Sequence, residues 1–244
     1  MYDLKITIQA MIFRLNEDPY SPFPDVALAE TEPNGLLAVG GDLTPERLIN
    51  AYRHGIFPWF SENEPILWWS PNPRTVLYPN NIRISRSLRK TLRKGIFQVS
   101  FDTAFDQVIT ACSLPRRNSP GTWLIPEMID AYLQLYELNM AHSVEVWQDK
   151  QLVGGLYGVA IGGVFYGESM FSQVSDSSKV AMVHLCSILR ELDIRLIDCQ
   201  VYTEHLISLG AEEISRERFC QHLDNWCTLP GHPGPWSAIT SETK

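Results

Sequence analysis

The spacing of apolar residues changes period several times along the chain, and each change predicts an element. The N-terminal end has the weakest pattern. Residues 1–32 mix polarity and carry Pro19, Pro22 and Pro24, which predicts an extended start with one early strand from Lys5 to Phe13. Glu32-Pro33-Asn34-Gly35 reads as a turn, and the apolar run from Leu36 to Val39 ends in Gly40-Gly41-Asp42. Thr44-Pro45 offers a hydroxyl N-cap and a proline at the first helical position, so a helix is expected to run to His54 and stop at Gly55. Between 57 and 79, Phe57, Trp59, Phe60, Trp68, Trp69 and Tyr78 are interleaved with prolines. That segment reads as packed but irregular, with a domain boundary near Ser70-Pro71-Asn72-Pro73.

Phe105, Val108, Ile109 and Cys112 fall at helical spacing, as do Ile125, Met128, Ile129, Tyr132, Leu133 and Tyr136. The period then becomes two. Val144 and Val146 alternate with Glu145 and Trp147, Asp149-Lys150 supplies a hairpin turn, and Leu152-Val153 returns. Leu156 to Ile161, Gly162-Gly163 and Val164 to Phe171 form a second hairpin. A polar stretch, 172–178, leads into a helix whose Met182, Leu185, Cys186 and Leu189 share one face. Ile194 to Val201 reads as a strand, Glu204 to Leu209 as a short helix closed by Gly210, and Ser215 to Trp226 as a helix capped by Ser215. This order predicts an α/β (α+β) chain: a small N-terminal domain, residues 1–73, then a mixed-sheet domain, residues 74–244, similar to the acyltransferase (GNAT-type) fold. Likeness of fold alone assigns no chemistry.

At 244 residues and 45% hydrophobic, the chain can bury a core without staples. No apolar run approaches the roughly 18 residues of a membrane span. Met1 to Lys5 has neither the basic start nor the long apolar stretch of an export signal, so a cytoplasmic protein is expected. Cys112, Cys186, Cys199, Cys220 and Cys227 form no CxxC and the histidines no HExxH, so reduced thiols and no metal site are expected. GxxxxGK[ST] and strand-flanked GxGxxG loops are absent, which excludes nucleotide binding of those types.

The net charge of −8 disfavours a protein that coats nucleic acid indiscriminately. The charge is uneven, however. Pro65 to Phe101 holds no acidic residue, and Arg74, Arg83, Arg86, Arg89, Lys90, Arg93 and Lys94 give it +7, leaving −15 for the rest. The last five would gather largely on one face of a helix. They form either a solvated face or a phosphate-binding patch on a protein whose remainder suits a cationic partner.

Two carboxylates stand in apolar strands. Glu168 lies within Phe165 to Ser172, and Asp198 lies two residues before Gln200, which predicts that Asp198 and Gln200 share a face. A buried acid costs roughly several kcal/mol unless paired, so each has a structural partner or a ligand. Trp59 and Trp123 read as core residues or as stacking platforms for a nucleobase.

Nine short motifs, in order along the chain, resemble those of the leucyl/phenylalanyl-tRNA–protein transferase family. They are Pro33 to Leu43, Gly55 to Phe60, Leu67 to Pro71, Gly121 to Leu124, His142 to Trp147, Gly154 to Gly158, Gly167 to Ser172, Leu196 to Gln200 and Ser208 to Ala211. The resemblance implies that a leucyl or phenylalanyl group passes from the 3′ end of its tRNA to the N-terminal amine of a protein beginning with Arg or Lys. The product would be marked for degradation by the bacterial N-degron route. It also implies an acyltransferase fold in which tRNA replaces coenzyme A; no cofactor is expected, and the chain is expected to be a monomer. By position it implies Asp198 and Gln200 as the catalytic pair, Glu168 at the aminoacyl end of the donor, and Trp59 and Trp123 at the terminal adenosine. Leu156, Met182, Leu185, Leu189 and Ile197 would line the pocket for the Leu or Phe side chain. Such a pocket separates sizes by only about 1–3 kcal/mol per methylene, so Met is expected to enter as well, and β-branched Ile and Val to be disfavoured by shape.

The cationic segment from Arg74 to Lys94 would hold the acceptor stem, and the acidic remainder would attract a basic N-terminus. Gln173 to Ser178 contains no glycine, so the loop that cradles coenzyme A pyrophosphate is missing. Two departures stand out: Thr203, where some relatives have Asn, and the tail from Cys227 to Lys244, which matches poorly and is assigned no role. The aminoacyl ester is already activated, so the enzyme must position two substrates, keep the amine neutral and stabilise an oxyanion. Asp198 either takes the amine's proton or orients Gln200. No covalent intermediate is needed, and Ser169 reads as structural.

Overall fold

The computed structural model describes residues 12–114, 124–232 and 234–241. Its elements in chain order are β1 (Phe13–Leu15), β2 (Leu36–Gly40), α1 (Pro45–Arg53), β3 (Phe57–Pro58), β4 (Leu67–Trp69), β5 (Arg74–Leu77), α2 (Arg86–Arg93), β6 (Gln98–Phe101), α3 (Phe105–Ser113) and α4 (Pro126–Glu137). Then come β7 (Ala141–Gln148), β8 (Gln151–Ile161), β9 (Val164–Ser172), α5 (Ser177–Glu191), β10 (Leu196–Gln200), α6 (Glu204–Ser208), β11 (Glu212–Ile214), α7 (Arg216–Trp226) and α8 (Trp236–Ser241).

The strongly periodic segments fold as their spacing predicts. Thr44 Oγ1 caps α1 by accepting from Arg47 N, with Pro45 behind it, and Ser215 caps α7 in the same way. The irregular-looking 57–79 stretch instead contributes three strands, β3, β4 and β5, too short for their period to show. The early strand expected over residues 5–13 lies almost wholly outside the described residues, and β1 begins only at Phe13.

The strands form two sheets, and the chain passes from one to the other between Trp69 and Arg74. The smaller has the order β1-β2-β4-β3, the larger β11-β5-β10-β9-β8-β7-β6. Within the larger sheet β9 and β10 run parallel, paired at Leu196↔Val164, Ile197↔Phe165 and Asp198↔Tyr166, and its other neighbours are antiparallel. The fold is thus a mixed α/β sheet with a small N-terminal unit. One apolar cluster lies over β7 to β10 beneath α5. The other lies on the α1, α3, α4 and α7 side and is continuous with the small sheet through Leu37, Tyr52, Phe57 and Trp68. The two sheets therefore share a core.

The poorly matching tail is not idle. Trp236 is fully buried, stacks on His142 at 4.0 Å, and donates its backbone N–H to Asp102 Oδ2 at 2.7 Å. That contact pins α8 beside β6.

Candidate active site

Parallel pairing between β9 and β10 stops at Tyr166 and Asp198, and past that point the strands part. A cavity of about 1040 Å³ fills the opening. Its walls come from both faces of the sheet: Leu156, Met182, Leu185 and Ile197 supply an apolar side, and Trp59, Glu168 and Gln200 line other parts.

Two strand irregularities shape this opening. Opposite β8, Tyr157 pairs with Ser169 and Gly158 with Gly167, so Glu168 is the extra residue of a bulge. A bulge re-aims a side chain out of the regular alternation. Gly158 accommodates it, since a Cβ there would collide with the Tyr166 carbonyl oxygen. Opposite β5, Asp198 pairs with Val76 and Gln200 with Thr75, leaving Cys199 extra, and Gln200 takes a left-handed φ of 64°. The alternation that would place Asp198 and Gln200 alike on one face is broken between them.

Glu168 is partly buried against the cavity. Tyr52 Oη donates to its Oε1 at 2.8 Å, Tyr132 Oη to its Oε2 at 2.5 Å, and Gln200 Nε2 to its Oε1 at 3.1 Å. The two phenol oxygens are 3.0 Å apart. Burial, with the charge of Asp198 added, pushes the Glu168 carboxyl up to about 7, against the opposing tyrosine hydrogen bonds and Arg74. Burial, followed by the Glu168 charge, pushes both tyrosines well above their ordinary value, so they remain donors.

Asp198 is fully buried behind this wall. Arg74 meets it bidentately, Nε to Oδ1 at 2.8 Å and Nη2 to Oδ2 at 2.7 Å. Asp198 Oδ1 also accepts from Gln200 N at 2.9 Å, which fixes the left-handed backbone. Asp198 is thus closed off from the cavity and tied to the backbone of Gln200, which does line it.

Glu168, Gln200, Trp59, Leu156, Met182, Leu185 and Ile197 line one cavity. Leu189 does not; it is fully buried in the core beneath α5. Trp123 lies outside the described residues. Arg74 leaves the cationic group: it is fully buried, ion-paired with Asp198 and flanked at 4.7 Å by the Phe57 and Phe219 rings, so no phosphate can reach it. Nothing in the sequence sets Tyr52 and Tyr132 apart, because each occupies an apolar helical position, where a tyrosine looks like any core aromatic. Thr203 has a structural task, capping α6 by accepting from Leu206 N at 3.2 Å.

The remaining cations do gather. Arg83 is exposed beside α2, and Arg86, Arg89, Lys90, Arg93 and Lys94 line one shallow concavity of about 500 Å³ on it. Thr91 on the same helix donates to Asp176 Oδ2 at 2.9 Å, which ties α2 to the loop before α5.

The family model of the leucyl/phenylalanyl-tRNA protein transferase matches residues 76–224, and that of its N-terminal domain matches 41–72. A leucyl/phenylalanyl-tRNA–protein transferase from Azoarcus sp. (strain BH72) is 58% identical over 90% of this chain and 93% of its own length. One from Cellvibrio japonicus is 56% identical over 93% of this chain and 97% of its own. Among solved structures, a GCN5-related N-acetyltransferase from Kribbella flavida aligns over 70% of this chain and 61% of its own, at 11% identity and a TM-score of 0.37, a likeness too slight to carry an argument. Matches of this extent, running through both sheets and every strand that walls the cavity, mean that the chain belongs to the leucyl/phenylalanyl-tRNA–protein transferase family.

Proposed function

We infer that this protein moves a leucyl or phenylalanyl group from aminoacyl-tRNA to the N-terminal amine of an acceptor protein. One observation supports this most directly: a cavity with an apolar side for an uncharged side chain and a polar edge at Glu168 and Gln200, on the same chain as an exposed cationic helix. The acceptor begins with Arg or Lys, which suits a chain that is strongly acidic outside that helix. Methionine is a further donor side chain. The enzyme acts as a monomer in the cytoplasm, and its product enters N-degron degradation.

The donor side chain lies among Leu156, Met182, Leu185 and Ile197, and the terminal adenosine stacks on Trp59, which is half exposed at the cavity. Arg83, Arg86, Arg89, Lys90, Arg93 and Lys94 hold the acceptor-stem phosphates. Gln200 meets the incoming amine, and Asp198 with Arg74 behind it keeps Gln200 in place. The ester needs no further activation, so orientation and charge stabilisation supply the rate.

Incubation with leucyl-tRNA carrying labelled leucine and an Arg-starting peptide tests the reading. Label should pass to the peptide, and a Glu-starting peptide should receive little. Transfer from acetyl-coenzyme A instead, with none from leucyl-tRNA, would sink it.

A further inference from the structure

Among the described residues Glu168 is the one carboxylate on the cavity wall, and its two oxygens close a ring of four with Tyr52 Oη and Tyr132 Oη through contacts of 2.8, 2.5 and 3.0 Å. These contacts can be counted in protons. Each phenol carries one hydrogen. If both are given to an ionised Glu168, none is left for the contact between the phenols. A third proton, on Glu168 itself, completes the ring: Glu168 donates to Tyr132, Tyr132 to Tyr52, and Tyr52 back to Glu168. The cluster is therefore built to take up one proton and to release it again. Asp198 offers no such place, since Arg74 and the Gln200 N–H occupy it and it is sealed from the cavity.

We propose that Glu168 is a catalytic residue, the base that takes the proton from the acceptor amine and delivers it to the departing 3′ oxygen of the donor. The proposal rests on the transfer reading above. In the step, the amine nitrogen bonds to the ester carbonyl carbon and a proton leaves the nitrogen for Glu168. The bond from that carbon to the 3′ oxygen then breaks, and the same proton passes from Glu168 to the oxygen. One C–N bond replaces one C–O bond, with no change of oxidation state.

The groups facing Glu168 support this use. Tyr52 comes from α1, Tyr132 from α4 and Tyr157 from β8, while Asp198 on β10 and Arg74 on β5 act at longer range with opposite sign. Their sum with burial brings the carboxyl up to about 7. An N-terminal amine titrates at about 7.7–8.0. Much of the free amine is then neutral and able to attack near neutral pH, where a carboxyl in the same range can both hold a proton and release it.

The experiment uses the full chain, a leucyl ester of adenosine as minimal donor and an Arg-starting peptide, with single-turnover rates followed from pH 5.5 to 9. The wild-type rate should rise through two inflections, one near 7 and one from the amine. Glu168→Gln should lower the rate by about 10²–10⁴-fold and lose the lower inflection. Tyr132→Phe should keep both but move the lower one upward, because the ionised carboxylate loses a donor. Calorimetric binding of a non-hydrolysable leucyl amide of adenosine reports whether each variant retains the site. Should Glu168→Gln fail to fold, the Tyr132→Phe profile decides: an unmoved lower inflection overturns the proposal. It is equally overturned if Glu168→Gln keeps both inflections and only binds donor more weakly. A wild type that transfers nothing would be a failure of the transfer function and not of the assignment of Glu168.

Discussion

Arg74 and Asp198, 124 residues apart in sequence, meet in two parallel hydrogen bonds across β5 and β10, sealed from solvent. The guanidinium lies 4.7 Å from the ring of Phe57, in the small sheet, and 4.7 Å from that of Phe219, on α7. A planar fork held by two hydrogen bonds and two ring contacts fixes Asp198, and through its bond to Gln200 N the left-handed turn at the end of β10. The small sheet thereby braces the site in the large one.

Replacing Arg74 with Met should destabilise the fold by about 3–5 kcal/mol, the cost of stranding a buried carboxylate. Arg74→Lys keeps the charge but not the fork, and should fold, bind the minimal donor normally and transfer leucine slowly. Asp198→Asn should give the same pattern. Denaturant titration and single-turnover transfer check both. A full-speed, folded Asp198→Asn would remove this strut from the mechanism.

Reversing Arg86, Arg89 and Lys90 to Glu should weaken binding of leucyl-tRNA and leave the minimal adenosine donor almost untouched. On duplex contacts the salt slope should fall by about 0.9 per phosphate lost, hence by nearly three. Filter binding over a salt series measures it. An equal loss for both donors would mean that α2 only supports the fold.

Leu185→Ala and Leu189→Ala make a matched pair, since both residues are buried on α5 but only Leu185 borders the cavity. Each should cost about 2–5 kcal/mol of stability. Only Leu185→Ala should move the preference from Leu toward Phe, by enlarging the pocket. Competition between the two charged tRNAs gives the ratio.

Glu168 also predicts a stability profile. Its carboxyl titrates at about 7 in the fold against an ordinary 4.5, so the native state binds this proton more tightly than the unfolded state does. The stabilisation is complete below about pH 4.5 and is lost as pH rises through 7. The difference amounts to at most about 3 kcal/mol, and solvent in the cavity reduces it. Glu168→Gln should lack this slope, so the two stability curves should converge at low pH and separate above 7 in favour of the variant.

Much of this was legible in the chain itself. The caps Thr44 and Ser215, the two hairpins and the apolar face of α5 follow from short-range chemistry and from period, because each states which side of its own element is buried. The acid-free stretch around α2 is a matter of counting. The cavity residues Glu168 and Gln200 stood out because polar groups in apolar strands need a reason to be there.

Period carries no information about which neighbour a side chain will meet. Arg74 reads as one more cation until β5 is laid beside β10, where its fork finds Asp198. Leu189 shares its helical face with Leu185, yet lies deeper than the cavity reaches. Tyr52 and Tyr132 are core aromatics on two helices until the bulge at Glu168 points a carboxylate between them. Spacing and composition along the chain disclosed most of the helices, the two hairpins, the uneven charge and the polar residues of the opening. Tertiary structure alone decided their partners, because a bulge, a strand parting and a buried ion pair arise from contacts between segments far apart in the chain.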